Sequence, residues 1–411
     1  MRISLLLLGL LGLFCVTACA IFTGYRDDYV RTDASTTVDA GDGGGHGCGG
    51  ACCVENRPPV LEVGMRYTGG YNPWRIAAGP FGGDGTSDVV ATYGSSSSFV
   101  FHGRGNGELE SGPIISTGDG TIQVSLTDVT SDGIADAIFI AYKSNVVTVA
   151  VARSDGTVSE TKVTNASCGV STKPTPISIA ARDFDGDGKV DIALANQNEG
   201  ICILHGKSDG TFDRPRLIPT PSEPWSVDLL DIDADGRMDV VTSLRGGGAL
   251  IVRNSGTDFD APTFVPGAQE SRGVATGDLD EDGRGDFVLA HETSGNVTVH
   301  LAAAGFVGVA YPTPSHADFV AVGDVNGDCH ADVLVTYSAG LSESSHALIV
   351  FRGAGKEKLL DPDTYPELGT RSAFALTDLD GDGINDIVFA RPALVINGPG
   401  GIEVVRNRTY R

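Results

Sequence analysis

Residues Asp183-Phe184-Asp185-Gly186-Asp187-Gly188-Lys189-Val190-Asp191 set carboxylates at positions one, three, five and nine of a short loop, with glycine at position six. Oxygen ligands on alternate residues can wrap a hard cation, and Ca2+ takes six to eight oxygens at about 2.3–2.6 Å. The glycine permits a sharp turn, because φ > 0 costs little without a Cβ. Without a cation, four carboxylates this close repel one another. The pattern recurs at 80–88, 128–136, 231–239, 278–286, 324–332 and 378–386, which makes seven copies. Their starts lie 48, 55, 48, 47, 46 and 54 residues apart. A period near 48 is that of a propeller blade of four strands.

Each copy sits in the same frame of short apolar runs. Before the third loop comes Ile177-Ser178-Ile179-Ala180-Ala181; after it come Ile192-Ala193-Leu194-Ala195, a glycine-bearing turn and Ile201-Cys202-Ile203-Leu204. A fourth, more polar segment is expected over 211–218. The sixth copy repeats this order at 319–322, 333–336 and 347–351. Such β-rich runs bounded by Gly, Asp and Pro read as strands. The last copy has only three, ending at 401–406, while 60–67 is a strand with no blade of its own. Pairing these two would close the ring and leave no open edge. The expected fold is therefore all-β: a seven-bladed propeller of four-stranded blades spanning 58–411.

Composition agrees. The 411 residues are 41% hydrophobic, and 56 glycines fit many turns better than long helices. The net charge of −24 argues against nucleic acid or an anionic membrane surface as a partner. Aspartates at the ligand positions also number 24, so the charge excess belongs to the loops, and bound divalent ions would cancel about half of it.

The first 18 residues read as an export signal: Arg2, then an apolar run over 3–16 too short to span a bilayer. Val16-Thr17-Ala18-Cys19 resembles a bacterial lipobox, which makes Cys19 the expected lipidation site and places the chain in the cell envelope, with Ala20 compatible with outer-membrane sorting; ordinary secretory cleavage near Ala18 or Ala20 is the simpler alternative. Residues 19–57 are rich in Asp, Thr, Ser and Gly, cannot bury enough apolar surface to fold, and read as a flexible tether. Cys48, Cys52 and Cys53 with His46 offer metal ligands, but an oxidising compartment favours disulfides or an incidental cluster.

The loops and their flanking strands resemble the FG-GAP or VCBS repeats of integrin α-subunit propellers and of many exported bacterial proteins, and Phe81-Gly82-Gly83 in the first copy is similar to the name itself. The resemblance implies Ca2+ held by side chains at positions one, three, five and nine and by the carbonyl at seven. Full sets would be Asp183, Asp185, Asp187, Asp191; Asp231, Asp233, Asp235, Asp239; Asp278, Asp280, Asp282, Asp286; and Asp378, Asp380, Asp382, Asp386. The sixth loop offers Asp324, Asn326, Asp328 and Asp332, with Cys329 in place of the glycine. The second keeps Asp128, Asp132 and Asp136, with Thr130 replacing a carboxylate. The first keeps only Asp84 and Asp88 and is expected to bind nothing. Five or six structural Ca2+ ions follow. Solvated acidic turns without metal are the simpler reading, against which the repeated spacing weighs.

Cys168 and Cys202 flank the third loop and could form a disulfide within its blade; a reduced Cys202 in the core is the alternative. Trp74 and Trp225 each lie six residues before their loop, as do Arg272 and Asp318. That position opens the innermost strand, so a Trp there could stack on a sugar, with His316 and Arg371 near the same rim; packing at a blade junction is the simpler role. Gly206-Lys207-Ser208-Asp209-Gly210 has the Gly-x-Ser-x-Gly spacing, but between two expected strands rather than at a strand-to-helix turn; His-x-x-x-His is absent, and no phosphate-binding Gly loop follows a strand and opens a helix. The expected function is a non-catalytic, calcium-stabilised binding or adhesion module, monomeric and anchored only by its lipid. It would recognise protein or polysaccharide through the face opposite the loops, built by connections such as 71–74, 173–175, 245–248 and 341–346. The alternative is a polysaccharide lyase or hydrolase on the same scaffold.

Overall fold

The computed structural model describes residues 56–70, 73–169, 171, 173–256, 258–314, 316–338, 346–355, 358–368, 373–391 and 400–409. The signal, Cys19, nearly all of the tether, Arg371 and the 341–345 connection lie outside the described residues. Seven four-stranded antiparallel sheets follow one another along the chain. Six are built in order, for example Pro176–Arg182, Asp191–Asn196, Gly200–Leu204 and Arg216–Ile218 in the third blade. In the seventh, Phe374–Thr377, Asp386–Arg391 and Gly401–Asn407 receive Leu61–Thr68 as the outer strand, with Leu61 opposite Asn407 and Thr68 opposite Gly401. The first and last strands of the described residues thus meet in one sheet.

The burial pattern explains why the middle strands do not alternate. Asp136–Ala141, Asp191–Asn196, Asp239–Leu244 and Asp286–His291 are buried at every residue, because blades cover them on both faces. The outer strand Val158–Asn165 is polar and largely exposed. Seven apolar clusters fill the seven blade junctions. Phe139 and Val90 join blades one and two, Phe287 and Val241 join four and five, and Val388 and Val89 join seven and one. The last junction unites residues some 300 positions apart, so the ring closes by side-chain packing as well as by the shared sheet.

The polar fourth segment expected over 211–218 is divided. Thr211–Phe212 pairs with Gly206–Lys207 in a small separate hairpin, and only Arg216–Ile218 extends the third blade. Cys168 and Cys202 form a disulfide with Cα atoms 5.9 Å apart. No helix among the described residues is long and apolar enough to cross a membrane.

Candidate functional site

Every acidic loop joins the innermost strand of a blade to its second strand, so all seven lie at one end of the central channel. Within the third loop, the Asp183 carboxylate accepts the N–H groups of Gly186 and Gly188 at 2.7 and 2.8 Å, and Asp187 accepts that of Lys189 at 2.9 Å. The seventh loop repeats this through Asp378, Gly381 and Gly383. The wrap needs left-handed backbone at position four as well as at position six. Position six has φ of 68–87° in all seven loops, and position four has φ of 58–76°. Glycine occupies position four only at Gly83, Gly186, Gly327 and Gly381; Ser131, Ala234 and Glu281 take the strained conformation without it. Cys329 does the same at position six, with φ 68°, so the sixth loop keeps its turn.

A direct test of this strain is available at Ala234. Ala234→Gly is expected to raise stability by about 0.5–1 kcal/mol, the relief of left-handed strain less the greater entropy of the unfolded chain. Gly236→Ala, where a Cβ meets nothing within 4 Å, is expected to lose about 1 kcal/mol through the backbone alone. Urea denaturation of both variants reads the two signs.

The loops gather their oxygens closely enough for one cation. Atoms of Asp183, Asp185 and Asp187 lie within 4.8 Å of one another, as do those of Asp231, Asp233 and Asp239 and of Asp278, Asp280 and Asp282. Ligand distances of about 2.3–2.6 Å on either side of an ion span that separation, so the donor sets fit a hard divalent ion. His205 joins Asp185 and Asp191 in a further group of this kind, with Nδ1 at 3.4 Å from Asp185 and 3.5 Å from Asp191. Several position-five carboxylates lean on a basic residue two places on. Lys189 pairs with Asp187, Arg237 with Asp235 and Arg284 with Asp282. The hydrogen bond from Lys189 holds the Asp187 carboxyl below its usual range.

Position nine has a second duty that the ligand spacing does not reveal. In all seven loops one oxygen of this Asp accepts the N–H of position two, and the other accepts an N–H at the end of the third strand. Asp386 takes Leu379 at 3.2 Å and Asn407 at 2.7 Å; Asp286 takes Leu279 at 2.9 Å and Ala302 at 2.8 Å. Even Asp88, in the loop that has lost its ligand set, takes Phe81 at 3.2 Å and Gly103 at 2.7 Å. Each of these carboxylates is buried. Burial pushes Asp286 and Asp386 up to about 7 and Asp88, Asp136 and Asp239 up to about 6, against backbone donors that favour the ionised form. Burial likewise pushes Asp332 well above the ordinary carboxylate value.

Two loops differ from the rest. In the first, Asp84 turns back onto Thr86, accepting its N–H at 2.9 Å and its hydroxyl at 2.7 Å. In the sixth, Asp324, Asn326, Asp328 and Asp332 are all buried. Asn56 covers that loop: it accepts from Asn326 at 3.3 Å and from Arg352 at 2.8 Å, and donates to the Gly353 carbonyl at 2.6 Å.

The opposite end of the channel has different chemistry. All seven innermost strands line a central cavity of about 300 Å³. Trp225 and Arg272 both line it, with the Arg272 guanidinium 4.9 Å from the Trp225 ring centre and 2.5 Å from Glu292. Trp74 does not line it; it is exposed and lies parallel to Tyr142 at 6.4 Å. The two tryptophans also differ in backbone register: a β-bulge interrupts the innermost strand at the residue six before the loop in blades two to six, and the first blade lacks it. The bulge alone does not bring that residue to the cavity, because Ile122, Ile177 and Asp318 share it and do not line the cavity. His316 is exposed and bonded to the Glu292 carbonyl, away from the cavity lining. In its place stands Arg75, stacked on Phe319 at 4.2 Å. Its position five before the loop was the available signal, shared with Phe319 in the sixth blade.

With the geometry in place, comparison with known proteins gives the lineage. The FG-GAP-like repeat pattern matches residues 81–139, 128–194, 183–242 and 324–389. The chain belongs to the FG-GAP-like repeat family. The fifth repeat of this FG-GAP-like propeller lies between matched segments yet keeps Asp278, Asp280, Asp282 and Asp286 and the same turn. No curated protein matches the chain by sequence. Similar solved structures include BBS1N in complex with ARL6DN, with a TM-score of 0.60 and 11% identity, covering 86% of this chain and 98% of that one. An Agrocybe aegerita lectin that specifically recognises non-reducing terminal N-acetylglucosamine has a TM-score of 0.51 and 17% identity, covering 84% and 91%. The structure of U3-55K has a TM-score of 0.55 and 10% identity, covering 84% and 98%. At these identities the likeness shows the fold alone.

Proposed function

We propose that this FG-GAP-like propeller is a non-catalytic recognition module, stabilised by Ca2+ in its complete acidic loops and presenting its ligand surface at the opposite face. The observation that carries the reading is the division of labour along the channel. One end concentrates the acidic loops, each committed to its own turn; the other carries arginines and aromatic rings around a cavity. The scaffold is compatible with either kind of ligand, since BBS1N is seen in complex with a protein and the lectin recognises a sugar. Fold likeness does not transfer those ligands, so the argument rests on the site. The apolar run over 3–16 and the lipobox-like Val16-Thr17-Ala18-Cys19 support a lipid-anchored module of the cell envelope.

The test is binding of the purified full chain to protein and glycan arrays, with Ca2+ and with EGTA. Saturable binding that disappears on chelation is expected, without cleavage of the ligand. Appearance of new reducing ends or unsaturated sugars in a bound polysaccharide would overturn the non-catalytic reading in favour of a lyase or hydrolase.

A further inference from the structure

We infer that the loop-distal end of the central channel is a carboxylate-binding site, shaped to take the acidic side chain of a protein partner. This deepens the reading of the chain as a recognition module and rests on it. The first observation is Arg75. Among the described residues it makes no ion pair; its guanidinium lies against the Phe319 ring and gives one hydrogen bond, to the Trp74 carbonyl at 3.3 Å. A guanidinium offers five N–H donors, and a single hydrogen bond leaves most of them for a ligand to take up. Burial first, and the Arg272 charge second, bring its pKa down to about 10, while Asp318 opposes the shift.

The second observation is Trp225, whose indole Nε1 is buried with no hydrogen-bond partner although its ring lines the same cavity. Arg75 and Trp225 therefore stand on separate blades around one space, each with donor capacity left over. Arginine forks match carboxylates in shape as well as charge, and a guanidinium flattened on an aromatic ring is already held in place. Arg272 adds a second guanidinium, shared with Glu292. Of the charged residues lining the cavity, Arg75, Arg182 and Arg272 outnumber Asp228, in a chain with a net charge of −24.

Two features favour an acidic protein side chain over an acidic sugar. Sugars are gripped by exposed aromatic faces, and here the Trp225 face is covered by Arg272 and the Trp74 ring lies parallel to Tyr142. The cavity of about 300 Å³ is at the small end for a ligand pocket, suited to one inserted side chain.

The chain has two tryptophans, so a Trp74→Phe variant leaves Trp225 as the sole indole reporter. Titrate the full-length variant, with Ca2+, against acetyl-Gly-Asp-Gly-amide, its Asn counterpart and glucuronate. A saturable change in Trp225 fluorescence is expected with the Asp peptide, at least tenfold weaker with the Asn peptide and with glucuronate. Arg75→Gln added to this background is expected to weaken Asp-peptide binding at least tenfold while leaving the melting temperature unchanged or higher. Equal response to Asp and Asn peptides, no response to either, or glucuronate binding as tightly as the Asp peptide would overturn the inference. Array binding that survives Arg75→Gln would also overturn it, while leaving the recognition module itself intact.

Discussion

Chelation with EGTA is expected to lower the melting temperature of the full chain by on the order of 10–20 °C. A ligand present at about 100 times its dissociation constant stabilises the folded state by about 2.7 kcal/mol per site, and four loops hold the complete carboxylate set. For a chain of this size each kcal/mol moves the midpoint by on the order of 1–2 °C. The sign of the pH dependence is expected to reverse between the two conditions. Without metal, the ninth-position carboxylates titrate near 6 to 7 in the folded state, above the ordinary carboxylate value of 3.8. A folded state that binds more protons than the unfolded chain loses stability as pH rises, here across the window from about 4 to 7. In EGTA the melting temperature should therefore rise on acidification from 7.5 to 5.5. With Ca2+ the carboxylates are held ionised, and acidification should lower it. Scanning fluorimetry in both buffers decides the matter; equal melting temperatures with and without EGTA would refute metal stabilisation.

The second large effect is expected at the ninth position. Asp386→Ala strands two buried backbone donors, the N–H groups of Leu379 and Asn407. At about 1–3 kcal/mol for each unmet buried donor, the loss should be about 3–5 kcal/mol, enough to unfold a marginal chain. Asp386→Asn keeps an acceptor and should cost less than half as much. The informative partner is Asp88→Ala. It removes the same pair of bonds from a loop without a ligand set, so its cost should be the same in Ca2+ and in EGTA. Asp386→Ala should cost more in Ca2+, because a ligand is lost together with the two bonds. Denaturant titrations of the three variants in both buffers separate the structural duty from the ligand duty. If Asp88→Ala proved neutral, the carboxylate would be no fastening.

A fastening of this kind explains why an Asp ends the first loop, where Asp84 has turned to Thr86 and no ligand set remains. The acid is retained because Phe81 and Gly103 need its oxygens, whatever the loop binds. It also explains the buried sixth loop, in which Asp332 serves Val325 and Gly353 while Asn56 covers the remaining polar groups.

Much of this was written in the sequence, because repetition turns a weak local signal into a strong one. Alternate aspartates at a period near 48 fixed the number of blades, their boundaries and the end of the channel at which the acidic loops lie. Each of those features depends on spacing along the chain, which a linear pattern records. What the tertiary structure alone decided depends on registers and partners far apart. Trp225 lines the channel and Trp74 does not, although the two tryptophans occupy one position in the repeat; the strand register differs there, with a bulge in the fourth blade and none in the first. Arg75 meets Phe319 across the ring from more than 200 residues away. The double duty of the ninth aspartate appears only when the third strand is laid beside the second. Spacing determines which residues a repeat owns; strand register and ring closure determine which of them face one another.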